Sequence, residues 1–183
     1  MRRALLLAAV LGCGVAADAP DPAAHPRGAV ARPLPEAPAR LWPAVLAALA
    51  AEDLHVARVD DRRRLVIARW HYAGPDAPRR LADLGDLAAA RAAGVRLVSD
   101  FTVTYALHLA PGPDAQSLLE IAATIRATDR SAATMLGGVL APLALTAAVP
   151  SRGTAERALF GRLVAAIYPT EEVLLLTGEP GVD

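Results

Sequence analysis

The sequence predicts an α+β fold in which an antiparallel sheet of four to five strands packs against an N-terminal and a C-terminal helix. Three patterns predict this fold. Apolar and polar residues alternate over residues 100–109 and again over 119–126, which is typical of neighbouring strands with one dry and one wetter face. Two β-type runs, at residues 54–59 and 64–70, flank a polar turn. Amphipathic helical patterns stand at both ends of the predicted domain.

The first helix is predicted to begin near Ala39 and to end near residues 52–53. Pro43 is expected to fall in its first turn, where proline is tolerated. Residues 60–63 are expected to form the turn of the first hairpin. Trp70 is expected to pack between this helix and the sheet. The helix prediction rests on apolar residues at helical spacing, namely Leu41, Trp42, Val45, Leu46 and Leu49.

The middle of the chain contains the clearest strand pattern. Residues 71–94 predict irregular chain followed by a short helix over residues 81–92. A turn at residues 111–114 then joins the two alternating strands into a hairpin. Residues 134–149 are almost wholly apolar, but they are too few to span a membrane. They predict a buried loop with a short helix, and the alternative is a patch that faces a membrane or a partner.

The last helix is predicted to start within residues 151–154 and to stop before Pro169. Glu156 falls in its first turn, where the helix dipole favours a carboxylate. Residues 173–176 are predicted to add a short edge strand. The helix has a broad apolar face, formed by Leu159, Phe160, Leu163, Val164, Ala166 and Ile167.

The charge balance argues against a nucleic-acid partner. The chain has 19 basic and 19 acidic residues, and loss of Arg2 and Arg3 on cleavage would leave 17 basic residues. Domains that bind nucleic acids are usually strongly basic. The chain contains no lysine, and such a bias is typical of a GC-rich genome. A single arginine is therefore weak evidence of function here.

The N-terminus carries the most specific signal. Two arginines, a short apolar run and a small residue precede Cys13, which is the order of a bacterial secretory signal. The run is far shorter than the roughly 20 residues that span a bilayer. The tetrad of residues 10–13 (Val-Leu-Gly-Cys) resembles the lipobox of bacterial lipoproteins, in which the cysteine is diacylated and becomes the new N-terminus. Cys13 is the only cysteine of the chain, which excludes an intrachain disulfide.

This resemblance implies a signal peptide over residues 1–12 and a membrane anchor at Cys13. The alternative is a plain signal peptide that is cut after residues 16–17 and discards Cys13. Gly14 stands where aspartate would retain a lipoprotein in the inner membrane of enteric bacteria, so the resemblance implies the outer membrane and a domain that faces the periplasm. Residues 13–38 are rich in proline and alanine and predict an extended tether. Residues 39–183 predict a single α+β domain.

The sequence contains no catalytic or cofactor-binding signature. None of its four serines lies in a Gly-x-Ser-x-Gly elbow. His55 and His71 flank the first hairpin, and Asp60 and Asp61 lie in its turn. These four residues define an alternative hypothesis, a small metal-dependent enzyme, although structural zinc usually takes four closely spaced ligands. The lead expectation is a protein with no catalytic site, no metal and no cofactor.

One stretch resembles a known family. A Trp-bearing helix over residues 41–49, then residues 56–60, then the strand over residues 65–70, is similar to the repeated domain of BamC-type outer-membrane assembly lipoproteins. The resemblance covers about thirty residues and implies a helix-grip arrangement, in which a long helix lies against an antiparallel sheet. This chain carries one such domain where that family has two, and it inserts residues 71–94. Lipopolysaccharide-assembly lipoproteins of the LptE type have a comparable layout.

Three functions remain open on the sequence. The first is a non-enzymatic binding or assembly accessory module of the cell envelope, which is anchored by lipid and uses its sheet edges and residues 134–149 to contact envelope-assembly proteins or lipids. The second is the metal-dependent enzyme. The third is a purely structural surface lipoprotein. The clusters at residues 62–64 and 79–80 are expected to be solvated arginines, with lipid head groups as the alternative partners.

Overall fold

The structure of the protein, a computed structural model, describes residues 28–131, 133–136 and 139–169, and it describes side chains over 28–131 and 143–169. The predictions for Cys13, for the signal peptide and for an edge strand at residues 173–176 lie outside the described residues. Within the described part, the elements in chain order are β1 (Val30–Leu34), α1 (Pro38–Ala51), β2 (His55–Asp60), β3 (Leu65–Ala73), α2 (Ala77–Leu84), α3 (Leu87–Ala92), β4 (Asp100–Pro111), β5 (Ser117–Asp129), β6 (Ala133–Leu136), β7 (Val139–Pro142), β8 (Leu145–Val149) and α4 (Thr154–Ile167).

The architecture is α+β, as predicted, and its main sheet is antiparallel. The sheet has six strands, however, where four to five were expected. Strands β2, β3, β4 and β5 lie side by side in that order, and β1 and β8 both pair with the outer edge of β5. The two predicted hairpins, β2–β3 and β4–β5, are both present. A single turn of 3₁₀ helix (Pro113–Ala115) joins β4 to β5.

Strand β1 corrects the predicted tether. It pairs with β5 from Val30 opposite Ile121 to Leu34 opposite Ser117, so the range predicted as tether, residues 13–38, includes a strand of the sheet. Leu34 is buried at one end of the strand, whereas the three residues before it are exposed. The predicted domain boundary at Ala39 therefore lies too late in the chain.

All four helices lie on one side of the sheet. Helices α1 and α4 contact each other. Helix α1 also contacts β4, and α4 contacts β5, while α2 contacts β4 and α3 contacts β8. The alternating residues of β4 and β5 that face this side are fully buried, and they form one core with the inner faces of the helices. The residues between them are half-buried. This is the dry and wetter pair of faces that the alternation predicted.

Both terminal helices occur close to their predicted positions, but α1 begins earlier than expected. Because α1 starts at Pro38, Pro43 lies inside the helix and not in its first turn. Proline has no N–H, so one hydrogen bond of the helix is missing there. The middle segment also differs from the prediction: β3 runs on to Ala73, and two helices, α2 and α3, replace the single one expected over residues 81–92.

The apolar stretch at residues 134–149 forms strands, so the predicted loop with a short helix is wrong. Strands β6 and β7 pair with each other in a separate two-stranded sheet. Strand β8 pairs with the last five residues of β5. A short apolar run without clear periodicity fits a strand as well as a helix, and here the free edge of β5 provides a partner for β8.

A buried carboxylate fills a gap at the outer edge of the sheet. On this edge β1 pairs with β5 as far as Ile121, and β8 begins to pair at Ile125. Glu156 in the first turn of α4 is fully buried. Its Oε2 accepts a hydrogen bond of 2.8 Å from Ser151 Oγ, whereas Oε1 has no partner among the described residues. Burial raises the pKa of Glu156, and the hydrogen bond from Ser151, together with the nearby backbone N–H groups of Glu156 itself and Ala123, opposes this shift.

We predict that Glu156→Gln removes a dependence of stability on pH. Because the pKa of Glu156 is raised in the folded state, that state takes up a proton at a pH where the unfolded chain does not. The wild-type free energy of unfolding should therefore rise, relative to that of the variant, as the pH falls from neutral towards 4.5. Below that pH the difference should become constant. Urea unfolding at several pH values measures it, and a difference that is independent of pH would contradict the burial of a charged Glu156.

Candidate binding face of the sheet

The side of the sheet opposite the helices is its uncovered face: within the described part of the chain, no helix lies against it. We define it by the residues of β2 to β5 that point away from the core. Its centre is made of small or apolar side chains, because Ile67, Ala106 and Ala122 stand opposite one another on β3, β4 and β5. Ile67 is only 8% exposed, whereas the two alanines are half-buried and form the accessible part of this centre.

Basic and hydroxyl side chains occupy the part of this face next to that centre. Arg69 stands opposite Thr104, and Thr104 stands opposite Thr124. One row further along, Thr102 lies between His71 on β3 and Arg126 on β5. Residues that flank β4 in this way have Cα atoms about 10 Å apart, since neighbouring strands are about 4.8 Å apart.

The two arginines of this region are available to a partner. Arg69 and Arg126 are exposed, and neither makes an ion pair or side-chain hydrogen bond to any residue that the structure describes. His71 Nδ1 lies 3.2 Å from Thr102 Oγ1, and His55 stands opposite Arg69 at the edge of the sheet. A guanidinium that is not neutralised by a carboxylate favours an anionic partner.

The remaining charges of the uncovered face are already paired. Arg130 Nε donates to Oδ2 of the buried Asp100 at 2.5 Å. His108 Nδ1 lies 3.1 Å from Glu120 Oε2, so His108 is on the wetter face as predicted but has a partner there. No carboxylate stands beside Arg69 or Arg126 in the cross-strand register, and the carboxylates of these pairs are already neutralised. The charge around the two arginines is therefore positive.

The edge strand β2 borders this face. All of its residues except the last are exposed, and Val56 and Val59 are its exposed large apolar residues. The register shifts between Val56 and Arg58, which indicates a bulge at Ala57. Bulges and charged residues commonly protect an edge from unwanted strand pairing. The sequence hypothesis that sheet edges serve as contact surfaces applies to this strand.

The four residues of the alternative hypothesis, a metal-dependent enzyme, do not come together. His55 and His71 lie at one end of the first hairpin, whereas Asp60 and Asp61 lie at the other end of β2, about 16 Å away at 3.3 Å per residue. Asp60 Oδ1 accepts the Arg63 backbone N–H at 3.1 Å, and Asp61 Oδ1 accepts the Trp42 Nε1–H at 2.9 Å. Over the described residues, no group of three His, Cys, Asp or Glu side chains could hold a metal ion. Both aspartates therefore have structural roles.

The arginine cluster at residues 79–80, one of the two for which lipid head groups are the alternative partners, lies away from the uncovered face. Arg79 and Arg80 lie on α2, on the helical side of the domain. Arg80 Nε donates to Asp76 Oδ2 at 2.9 Å, and its guanidinium lies 4.4 Å from the centre of the Tyr72 ring. The pKa of Asp76 is lowered, first by the hydrogen bond from Tyr72 and then by that from Arg80. Arg80 is thus engaged within the domain.

The alternation predicted the wetter face, but not that Arg69 and Arg126 both lie on it, on opposite sides of β4 and one row apart. The alternation at residues 100–126 predicted which side chains of β4 and β5 share that face. It did not contain the register that places Arg69 and Arg126 on opposite sides of the threonines. Leu65 opposite His108 and Val103 opposite Ile125 define that register in the structure.

Comparison with known proteins adds no relative. No protein-family model matches the sequence, and the search of curated proteins found no similar chain. None of the helices within the described residues is both long enough and apolar enough to cross a membrane.

Proposed function

We propose that this protein is a lipid-anchored lipoprotein of the outer membrane whose domain is a non-enzymatic binding module of the cell envelope. In this proposal Cys13 carries the lipid and the domain faces the periplasm. The uncovered face of the sheet binds a partner with an acidic surface, such as an envelope-assembly protein. The N-terminal sequence pattern supports the anchor, and the architecture of the domain supports the binding role.

The observation that carries the binding role is the pair of unneutralised arginines on the uncovered face. Arg69 and Arg126 flank a strip of threonines that includes Thr102 and Thr104. Threonine hydroxyls donate and accept hydrogen bonds, and guanidinium groups bind carboxylates in a bidentate manner. Next to them, the half-buried Ala106 and Ala122 offer a small apolar centre. An apolar centre with a polar, charged border is the usual anatomy of a protein interface.

We also propose that the domain has the helix-grip arrangement of the BamC type. Its support is that α1 and α4 pack together on one side of an antiparallel sheet. Helices α2 and α3, which contain most of the inserted residues, lie in the same layer and leave the other face of the sheet uncovered. A domain built in this way separates its core from its binding surface.

We predict that Arg69→Glu combined with Arg126→Glu abolishes partner binding. The two substitutions place carboxylates where the partner is acidic, and like charges at an interface are strongly unfavourable. The measurement is affinity copurification of the full chain from detergent-solubilised membranes. We expect the wild type to recover a partner in stoichiometric amounts and the double variant to recover at least about tenfold less.

The matched control is Arg40→Glu combined with Arg79→Glu. Both arginines are exposed on helices, at α1 and α2, and the change of net charge is the same. This variant should recover the partner as the wild type does. Equal loss in both double variants, or a wild type that recovers no partner, would contradict a binding role of the uncovered face.

A further inference from the structure

A concave site lies on the helical side of the sheet, and it is independent of the binding role proposed above. It is a cleft of about 290 Å³ between the end of α1, the start of β2, α4 and the sheet. Its walls are apolar and are formed by Leu54, Trp70, Leu84, Ala155 and Ala158. Since a water molecule takes up about 30 Å³, the cleft has room for roughly ten non-hydrogen atoms.

A hydroxyl group opens into this cleft. Tyr105 lines it and is only 4% exposed as a residue, and its hydroxyl makes no hydrogen bond to the residues that the structure describes. The hydroxyl is not one of the buried unpaired atoms, so it is accessible from the cleft. Burial raises the pKa of Tyr105 to about 12. The hydroxyl therefore stays protonated at neutral pH and is a hydrogen-bond donor that a ligand could satisfy.

The mouth of the cleft carries one free negative charge. Arg162 Nε and Glu52 Oε2 lie 2.6 Å apart and neutralise each other. Asp53, which also lines the cleft, is exposed and makes no ion pair or side-chain hydrogen bond within the described residues. The indole ring of Trp70 forms part of the wall. A free carboxylate and an aromatic wall both favour a cationic group.

We propose that this cleft binds a small amphipathic amine. The apolar body of the ligand packs between Trp70 and the side chains of α4. A hydrogen-bond acceptor of the ligand takes the Tyr105 hydroxyl, and its ammonium group lies at the mouth beside Asp53. The proposal is one of reversible binding, in which Tyr105 supplies a donor and Asp53 a counter-charge.

Isothermal titration calorimetry of the full chain with tyramine tests this inference. Tyramine has an aromatic body of suitable size, a hydroxyl at one end and an ammonium group at the other. We expect saturable binding at one site, with a Kd in roughly the micromolar to millimolar range that is usual for ligands of this size. The carboxylate analogue 3-(4-hydroxyphenyl)propionate should not bind, because its charge has the same sign as Asp53.

Two variants locate the bound tyramine. Tyr105→Phe removes only the hydroxyl and should weaken binding about fivefold, the usual effect of one neutral hydrogen bond. Asp53→Asn should weaken it about tenfold, because it keeps an acceptor oxygen but removes the charge that strengthens the hydrogen bond to the ammonium group. The control Asp114→Asn changes an exposed carboxylate in the β4–β5 turn, far along the chain from the cleft, and should leave the Kd unchanged.

Three results would overturn the proposal. They are the absence of saturable binding of tyramine, equal affinity for the carboxylate analogue, and a Kd that neither Tyr105→Phe nor Asp53→Asn alters. Circular dichroism and thermal unfolding of each variant show whether it is folded, so that loss of binding by unfolding is recognised. None of these results depends on the uncovered face, and partner recovery in the copurification experiment is scored separately.

Discussion

Replacement of Phe101 by alanine is expected to lower the free energy of unfolding by about 3–5 kcal/mol. Phe101 lies on β4, is fully buried and belongs to the single core between the sheet and the helices. Its ring meets Trp70 edge-on at 5.6 Å between ring centres, and it lies 5.6 Å from Tyr72. Aromatic pairs of this geometry add to the effect of burial. Because whole domains are stable by only about 5–15 kcal/mol, the variant should be close to unfolding.

Denaturant unfolding followed by circular dichroism measures this effect. The matched control is Thr102→Ala, the next residue of the same strand, which points to the uncovered face and loses only its contact with His71. We expect Thr102→Ala to cost less than about 1 kcal/mol, as is usual for a surface position. Similar losses for the two variants would contradict the assignment of a core face and an uncovered face to β4.

Replacement of Cys13 by serine is expected to move the protein from the membrane fraction to the soluble fraction. In the lipobox interpretation Cys13 carries two acyl chains, and stable anchoring requires about two such chains because each buried CH₂ contributes only about 0.8 kcal/mol. Serine provides no thiol for acylation. Fractionation of cells that make either form measures the distribution of the protein.

A wash at high ionic strength serves as the control for this experiment. Salt weakens contacts between exposed charges, so it should remove protein that is held only through the arginines of the uncovered face, but not protein held by lipid. A Cys13→Ser variant that stays in the membrane fraction after the wash would contradict the anchor. A wild type that is already soluble would favour a plain signal peptide cut after residues 16–17.

The parts of the fold that were predictable are those with a strong local pattern. Strands β4 and β5 alternate over more than eight residues each, and α4 has a broad apolar face that ends before Pro169. In these elements the local preference and the burial in the folded chain agree. Such agreement makes an element predictable from its own sequence, without knowledge of the elements that pack against it.

The elements that escaped prediction depend on tertiary partners. Strand β1 contains Arg32 and Pro33 and points only Leu34 fully into the core, so its residues resemble those of a tether. It forms a strand because β5 would otherwise present an unpaired edge over residues 117–121. Strand β8 forms for the same reason over residues 125–129. Strands β1 and β8 therefore form because the long strand β5 offers them a pairing edge, and less because of their own sequences.

The alternative metal site fails for a related reason. That hypothesis required His55 and His71, which flank the first hairpin, to lie close to Asp60 and Asp61 in its turn. In the structure, strand length separates the aspartates from the histidines. By contrast, Arg69 and Arg126 are far apart in the chain and are brought together by the β3–β4–β5 register. Register depends on pairing across the whole sheet, which no local pattern contains.

We expect the uncovered face of the sheet to contact an envelope partner, and site-specific photo-crosslinking in living cells tests this contact. A photoreactive amino acid at Ala122, in the centre of that face, should give one adduct of defined mass. The adduct should disappear when Arg69→Glu and Arg126→Glu are introduced. The same amino acid at Ala47, which is exposed on α1, should give no such adduct. No adduct at Ala122, or the same adduct at both positions, would contradict the claim.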